Sequence, residues 1–350
     1  MCWHIPAQFC LGILIKVPFM DLLQIKILTY RAATFPLTWY RNKYIPPYEH
    51  VGWPPESWIR DYEEASNLIY GLLEKEQPCC IGRYGVTEFI CMENFMKNRH
   101  PFWFLRGYFP FWANSSVKRN MRELSGFFSP DGNRAFSRFA DLYYESAKEV
   151  DVLACWFKNQ EVVEKEMNYK ICWLLSIEPW WAKNPWTRYL KGKKVLVVHP
   201  FAETIESQYK KRGLLFDNPD ILPEFGSLTV IKAVQSLGGE NNGFNDWFEA
   251  LHYMEEQVDK VDYEVALIGC GAYGLPLAAH CKKRGKKAVH LGGALQLLFG
   301  IKGKRWESPS YGRELPGIDY QRLLSNPNWV RPLETEKAKN SEKVEGACYW

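Results

Sequence analysis

Short apolar runs alternate along this chain with longer stretches in which apolar residues recur every three or four positions. The runs are Cys79–Gly82, Val150–Trp156, Val195–Val198, Thr229–Val234, Val265–Gly269 and Ala288–Leu291. Continuous sequences such as VLVV and VALIG suit strands covered on both faces. Amphipathic spacing predicts helices over Ser57–Lys75, Glu88–Lys97, Ala135–Lys148, Ala202–Lys211, Trp247–Val258 and Leu275–Arg284, the last stopped by Gly285. Strand, turn and helix in repeated succession predict an α/β fold, a Rossmann-like, mostly parallel sheet with helices on both faces. Residues 1–56 read as an N-terminal extension ending in a linker rich in proline and aromatics (Pro46, Pro47, Pro54, Pro55). Residues 57–330 read as the α/β domain and 331–350 as a polar tail, finishing on Cys348-Tyr349-Trp350, an ending suited to docking.

Composition narrows the partners. With 47% hydrophobic and 24% charged residues the chain is an ordinary globular protein. Fifteen Trp, nineteen Tyr and twenty Phe exceed the usual needs of a core, so most are assigned to packing and some to a binding surface. The net charge of +4 is mild, and the basic clusters at Lys191–Lys194, Lys282–Lys287 and Lys302–Arg305 are solvated faces or phosphate-attracting fields. No nucleic-acid motif or long basic helix occurs, so no nucleic-acid partner is expected. The ten cysteines form no CxxC pair, which predicts buried thiols in a reducing, cytoplasmic setting. The apolar stretch Phe9–Leu28 is broken by Lys16, Pro18, Asp21 and Lys26. A spanning helix is therefore not expected; a packed amphipathic helix or a peripheral membrane contact remains.

In an open parallel sheet ligands bind beyond the carboxyl ends of the strands, so three strand-to-helix turns carry the candidate chemistry. In IGRYGVTEF, Gly82 and Gly85 allow tight turns and Arg83 offers a planar fork for phosphate. Glu88 near the helix start is a base, a metal ligand or a plain acidic first-turn residue. In VLVVHPFAETIESQY, His199 ends the strand, followed by Glu203; a histidine there binds phosphate, transfers a proton or bonds the loop backbone. In VALIGCGAYGLPLAAH, Gly269, Gly271 and Gly274 satisfy G-x-G-x-x-G, with Ala272 and Tyr273 between them. That motif raises an NAD(P)-dependent oxidoreductase, but the next strand ends in His290-Leu291-Gly292-Gly293, with no acid for a ribose. Backbone N–H groups at such a helix start still suit a diphosphate.

Taken together, these turns resemble the GT-D class of glycosyltransferases, from about Ser57 to the C-terminus. The family motif I-G-R-[FY]-G-x-x-E stands here as Ile81–Glu88, and a late glycine-rich pattern is matched broadly by Gly269–Gly292. The resemblance implies a Rossmann-like fold and transfer of a sugar from a nucleoside diphosphate sugar donor to a glycan acceptor. It also implies an Asp-x-Glu motif for donor and metal binding. Here Glu88 matches the Glu, Val86 stands at the Asp position, and Gly293 replaces a family histidine. Valine and glycine supply no ligand, so Glu88 is the one candidate metal ligand of this set, and Mn²⁺ or Mg²⁺ stays open beside a metal-free reaction.

These readings assign catalysis to Glu88, with His199 as the competing base oriented by Glu203. The donor and its phosphates are assigned to Gly82, Arg83, Tyr84, Gly85, Glu203, Gly269, Gly271, Ala272, Tyr273, Gly274, His290, Gly292 and Gly293. Aromatic segments 101–112 and 180–186 are candidates for the acceptor surface or for loop packing. A nucleotide-sugar or glycan-binding protein without catalysis is the alternative from a different class.

Overall fold

A computed structural model describes residues 29, 32, 56–99, 115–156, 167–236, 240–309, 311–312, 317–338 and 349. The aromatic segment 101–112 and nearly all of the N-terminal extension lie outside these residues.

Seven short strands make one sheet: β1 (Cys80–Arg83), β2 (Val152–Cys155), β3 (Lys170–Trp173), β4 (Lys194–His199), β5 (Ser227–Lys232), β6 (Val265–Ile268) and β7 (Lys287–His290). Their order is β3-β2-β1-β7-β6-β4-β5, and every pairing is parallel. Six of them fall on the apolar runs. The seventh, β3, is an edge strand that begins exposed at Lys170 and ends buried at Trp173, so it has no continuous apolar run to announce it. The other edge, β5, starts two residues before the expected Thr229 because its half-exposed face admits Ser227.

The main helices are α1 (Tyr62–Glu74), α2 (Val86–Arg99), α3 (Ser115–Glu123), α4 (Asn133–Ala147), α5 (Ala202–Tyr209), α6 (Trp247–Asp259) and α7 (Gly274–Lys283). Side-chain caps start two of them: Asp61 accepts from the Glu64 N–H at 2.8 Å and Asp246 from the Glu249 N–H at 2.8 Å. Gly285, at φ 78°, ends α7 in the left-handed conformation glycine alone adopts without strain. Helix α3 was not anticipated: in SSVKRNMRE only Val117 and Met121 are buried, too sparse a stripe to read. Short helices α8 (Leu295–Leu298), α9 (Lys304–Glu307) and α10 (Tyr320–Leu324) follow. Among the described residues no helix is long and apolar enough to cross a membrane.

Alternation along the strands divides the core in two. Leu196, Val198, Ala266 and Ile268 face a layer built by α2, α4, α6 and α7, with Phe89, Phe136, Phe139 and Trp247 at its centre. Val195, Val197, Val265 and Leu267 face the opposite layer, with Ile69, Leu73, Trp186, Ile205 and Leu297. Each such side chain contributes about 2 kcal/mol by leaving water, and most of the described aromatic residues are buried in these two layers. Strands β1 and β6 lead into the first layer, through α2 and α7; β4 and β7 lead into the second, through α5 and α8. In the sheet these strands stand side by side as β1-β7-β6-β4, so successive chains leave in opposite directions. A crevice opens over their carboxyl ends for that reason.

Candidate active site

That crevice is a cleft of about 450 Å³, a size that suits a small organic ligand. Arg83, Gly85 and Glu88 line it from β1 and α2, and His199 from β4. Gly269, Gly271, Ala272 and Tyr273 line it from the turn after β6, and His290, Gly292 and Gly293 from β7 and beyond. Three segments far apart in sequence therefore meet at one place.

Not every assigned residue reaches the cleft. Gly82 lies within the sheet, where an added Cβ would come 2.8 Å from Leu275 Cδ1. Tyr84 is buried among Phe89 and Tyr143. Glu203 is exposed, 3.8 Å from Lys232 Nζ, and does not orient His199. Trp180 and Trp186 are buried in the second layer, and the indole of Trp186 donates to the Ile177 carbonyl at 2.8 Å. These two tryptophans of segment 180–186 are therefore core residues.

Arg83 ends β1 half-buried. Its side chain runs over Gly292, whose φ is +61° and whose added Cβ would meet Arg83 Cδ at 3.2 Å and Nε at 3.3 Å. The guanidinium makes no hydrogen bond or ion pair with any described residue. It is a charged fork with its donors uncommitted, the chemistry that receives a phosphate. Lining the same cleft is the turn Gly271–Tyr273, at the start of the ten-residue α7. A helix start presents unsatisfied N–H groups and a partial positive charge.

Glu88 is buried in the first turn of α2. Burial pushes its carboxyl above the usual range, while a hydrogen bond with Ser125 and the nearby Arg83 charge pull the other way. Gly85 sits directly against it: an added Cβ would overlap the carboxylate. The glycine at this position is a seat for Glu88, not only a turn.

The two histidines divide by their hydrogen bonds. His199 Nδ1 accepts from the Phe201 backbone N–H at 3.0 Å, so in the neutral ring the proton is on Nε2. His290 Nδ1 is 3.1 Å from the Ile268 carbonyl, which can only accept, so its proton is on Nδ1 and Nε2 carries the lone pair. Burial lowers both to about 3, with the Arg83 charge contributing at His290. Both rings are therefore neutral near neutral pH, with one nitrogen protonated in each. Glu88 is the only carboxylate among the described residues that line the cleft.

Glycines of the G-x-G-x-x-G motif serve this arrangement. An added Cβ at Gly269 would come 2.7 Å from His199 Cδ2, and one at Gly274 would overlap the His290 ring. Gly271, at φ +60°, lines the cleft with open space around it. β7 ends on His290 with no acid beside it, so a ribose-binding carboxylate is missing here. A divalent ion is the other candidate group. Among the described residues no group of three His, Cys, Asp or Glu side chains is placed to hold one, and Val86 and Gly293 supply no ligand at the cleft.

The walls of the cleft come from residues that no motif marks. Ser125, Trp156, Val234–Ser236, Gln296, Arg305, Tyr311, Ala338 and Tyr349 all line the cleft. Ser236 is tied to the Tyr273 hydroxyl at 2.7 Å. Tyr349 covers Gly293, where an added Cβ would overlap its ring. Its carbonyl accepts from Gln296 Nε2 at 3.1 Å and its hydroxyl from Arg305 at 3.0 Å. The aromatic ending of the chain was the only signal for this wall.

Fold and site together define an α/β protein with a Rossmann-like parallel sheet and a cleft at its strand ends lined by Arg83, Glu88 and the Gly271–Tyr273 turn. No family model matches the chain, and no curated protein matches it. Among solved structures it is similar to a chain described as "Selenomethionine substituted structure of domain of unknown function 1792 (DUF1792)". The two share 11% identity over 83% of this chain and 95% of that one, at a TM-score of 0.32, a likeness too low to carry an argument.

Proposed function

We propose that the cleft binds a nucleoside diphosphate sugar and transfers its sugar to a hydroxyl of a glycan acceptor. The observation that carries this reading is the uncommitted Arg83 guanidinium in one cleft with the Gly271–Tyr273 helix start and the buried Glu88 carboxyl. The diphosphate lies between Arg83 and the turn, where a fixed positive field meets the charge that grows on the leaving group. The acceptor oxygen attacks the anomeric carbon as the bond from that carbon to the diphosphate oxygen breaks. The hydroxyl proton passes to ionised Glu88, whose raised affinity for protons suits a base working near neutrality. Arg83 and the helix N–H groups do the electrostatic work, and no step needs a metal. Among the described residues seven cysteines are free and buried, which supports placing this activity in a reducing compartment such as the cytoplasm.

The test is a thermal-shift screen with UDP-, GDP- and TDP-sugars, with and without Mn²⁺, followed by turnover assays. Arg83→Ala is expected to weaken donor binding about 10- to 100-fold, the worth of charge-assisted hydrogen bonds. Glu88→Gln is expected to bind the donor normally and lose about 10²–10⁴ in turnover, the usual contribution of a general base. Full turnover in Glu88→Gln would overturn the mechanism. Stabilisation by NAD(P) with no response to any nucleotide sugar would replace it with an oxidoreductase. Donor binding without hydrolysis or transfer would leave a binding protein.

A further inference from the structure

Two imidazoles flank the glycine-rich turn from opposite sides. His199 ends β4 and His290 ends β7, with β6 and its turn between them. Both rings are almost fully buried, and both line the cleft. Gly269 makes room for the first and Gly274 for the second. Each ring is clamped by its Nδ1, and the two clamps have opposite sense: one accepts a backbone N–H, the other donates to a backbone carbonyl. Each Nε2 lacks a partner among the described residues. The cleft therefore offers one neutral donor and one neutral acceptor, fixed by the sheet itself. A bare phosphate, rich in acceptors, has use for the donor only. A polyol has use for both, because each hydroxyl gives a hydrogen bond and takes one.

From this arrangement we propose that His199 and His290 form a hydroxyl-reading pair for the sugar of the donor. His199 Nε2–H donates to a sugar oxygen, and His290 Nε2 accepts a sugar hydroxyl. The proposal rests on the transferase reading for the identity of the ligand and adds which groups recognise the sugar. Both residues are binding residues in it; neither transfers a proton. Two of the three glycines in G-x-G-x-x-G are then explained by the seating of these rings and not by a dinucleotide.

Asparagine variants isolate the claim, because its side chain reproduces Nδ1 and omits Nε2. His199→Asn keeps an acceptor for the Phe201 N–H, and His290→Asn keeps a donor for the Ile268 carbonyl. Affinities are measured for UDP-glucose, GDP-mannose and TDP-glucose, each beside its free nucleoside diphosphate. The expected result is a five- to ten-fold loss per variant for the nucleotide sugar that binds, roughly the worth of one hydrogen bond, with the free diphosphate unchanged. His→Gln at either position, which restores a polar atom near Nε2, is expected to recover part of the loss. Equal losses for sugar and free diphosphate, or no loss, would overturn the pair. Imidazole ¹⁵N spectra give a second readout: the wild type should show His199 protonated on Nε2 and His290 on Nδ1, and the reverse in either ring overturns the proposal. If no nucleotide sugar binds, the transferase reading fails by itself. D-glucose and D-mannose then judge the pair, which stands if they shift both Nε2 signals and falls if they shift neither or only one.

Discussion

Glu178 is buried where its carboxylate has no adjacent cation, and neutral donors hold it instead. Tyr320 donates to it at 2.7 Å and the Trp181 indole at 2.8 Å. Burial wins over these bonds and over the more distant Arg83 charge, pushing the group up to about 7. The raised value has a definite sign for stability. A carboxyl that holds its proton more tightly when folded adds stability below its unfolded value of 4.5, and that stability is lost as pH rises through about 7. The difference is worth roughly 3 kcal/mol. Wild type is therefore expected to gain on Glu178→Gln as pH falls from 8 to 4.5. Paired denaturation curves at those two values check it, and a constant gap would show that Glu178 does not titrate in this window. Nothing in the local sequence marks this residue, because Tyr320 lies 142 positions away. Glu88 was legible as a site candidate, being the acid of a turn with two glycines. That Gly85 exists to make room for it was not, since the clash involves a side-chain direction.

Among elements, helix α5 shows a late segment of the chain completing a distant helix start. Its own N-terminus has no side-chain cap, since Phe201 stands at that position. The cap comes from Glu336, which accepts from the Glu203 N–H at 2.7 Å and the Thr204 N–H at 3.3 Å, and from the Thr204 hydroxyl. A buried carboxylate at a helix start is stabilised by those N–H groups and by the dipole. Glu336→Ala should lower stability by about 1–2 kcal/mol, the usual worth of a cap. Chemical denaturation measures it, and an unchanged midpoint would mean that water replaces the carboxylate without cost. The same segment forms part of the cleft wall: the Glu336 carbonyl accepts from Gln235 at 3.2 Å, and both Gln235 and Ala338 line the cleft. Period and glycine spacing located the buried strands and the helices beside them. They missed β3 and α3, where an edge strand and a sparsely buried helix carry too few apolar residues to set a period.

For the whole molecule, the cleft joins the ends of β1, β4, β6 and β7, so one ligand bridges segments from both layers. A ligand bound only by the folded state should stabilise all of them together. At 100 times its dissociation constant the gain is about 2.7 kcal/mol, and Arg83→Ala should erase about half of it or more at the same ligand concentration. Differential scanning calorimetry with the best donor from the screen checks both halves; equal stabilisation of the variant would remove Arg83 from the binding site. By itself the sequence determined the α/β alternation, most of the buried strands, the three turns, and the choice of Arg83, Glu88 and the glycine-rich loop as candidates. Those features are local, since burial on both faces, helical period and glycine conformations are written within a few residues of each other. Only the tertiary structure decided which turns share a cleft and which assigned residues fall into the core. It alone seated Tyr349 over Gly293 and gave His199 and His290 opposite tautomers. The order of strands in the sheet brings Arg83 against Gly292, far apart in the sequence, and a hydrogen bond's sense depends on what stands opposite it.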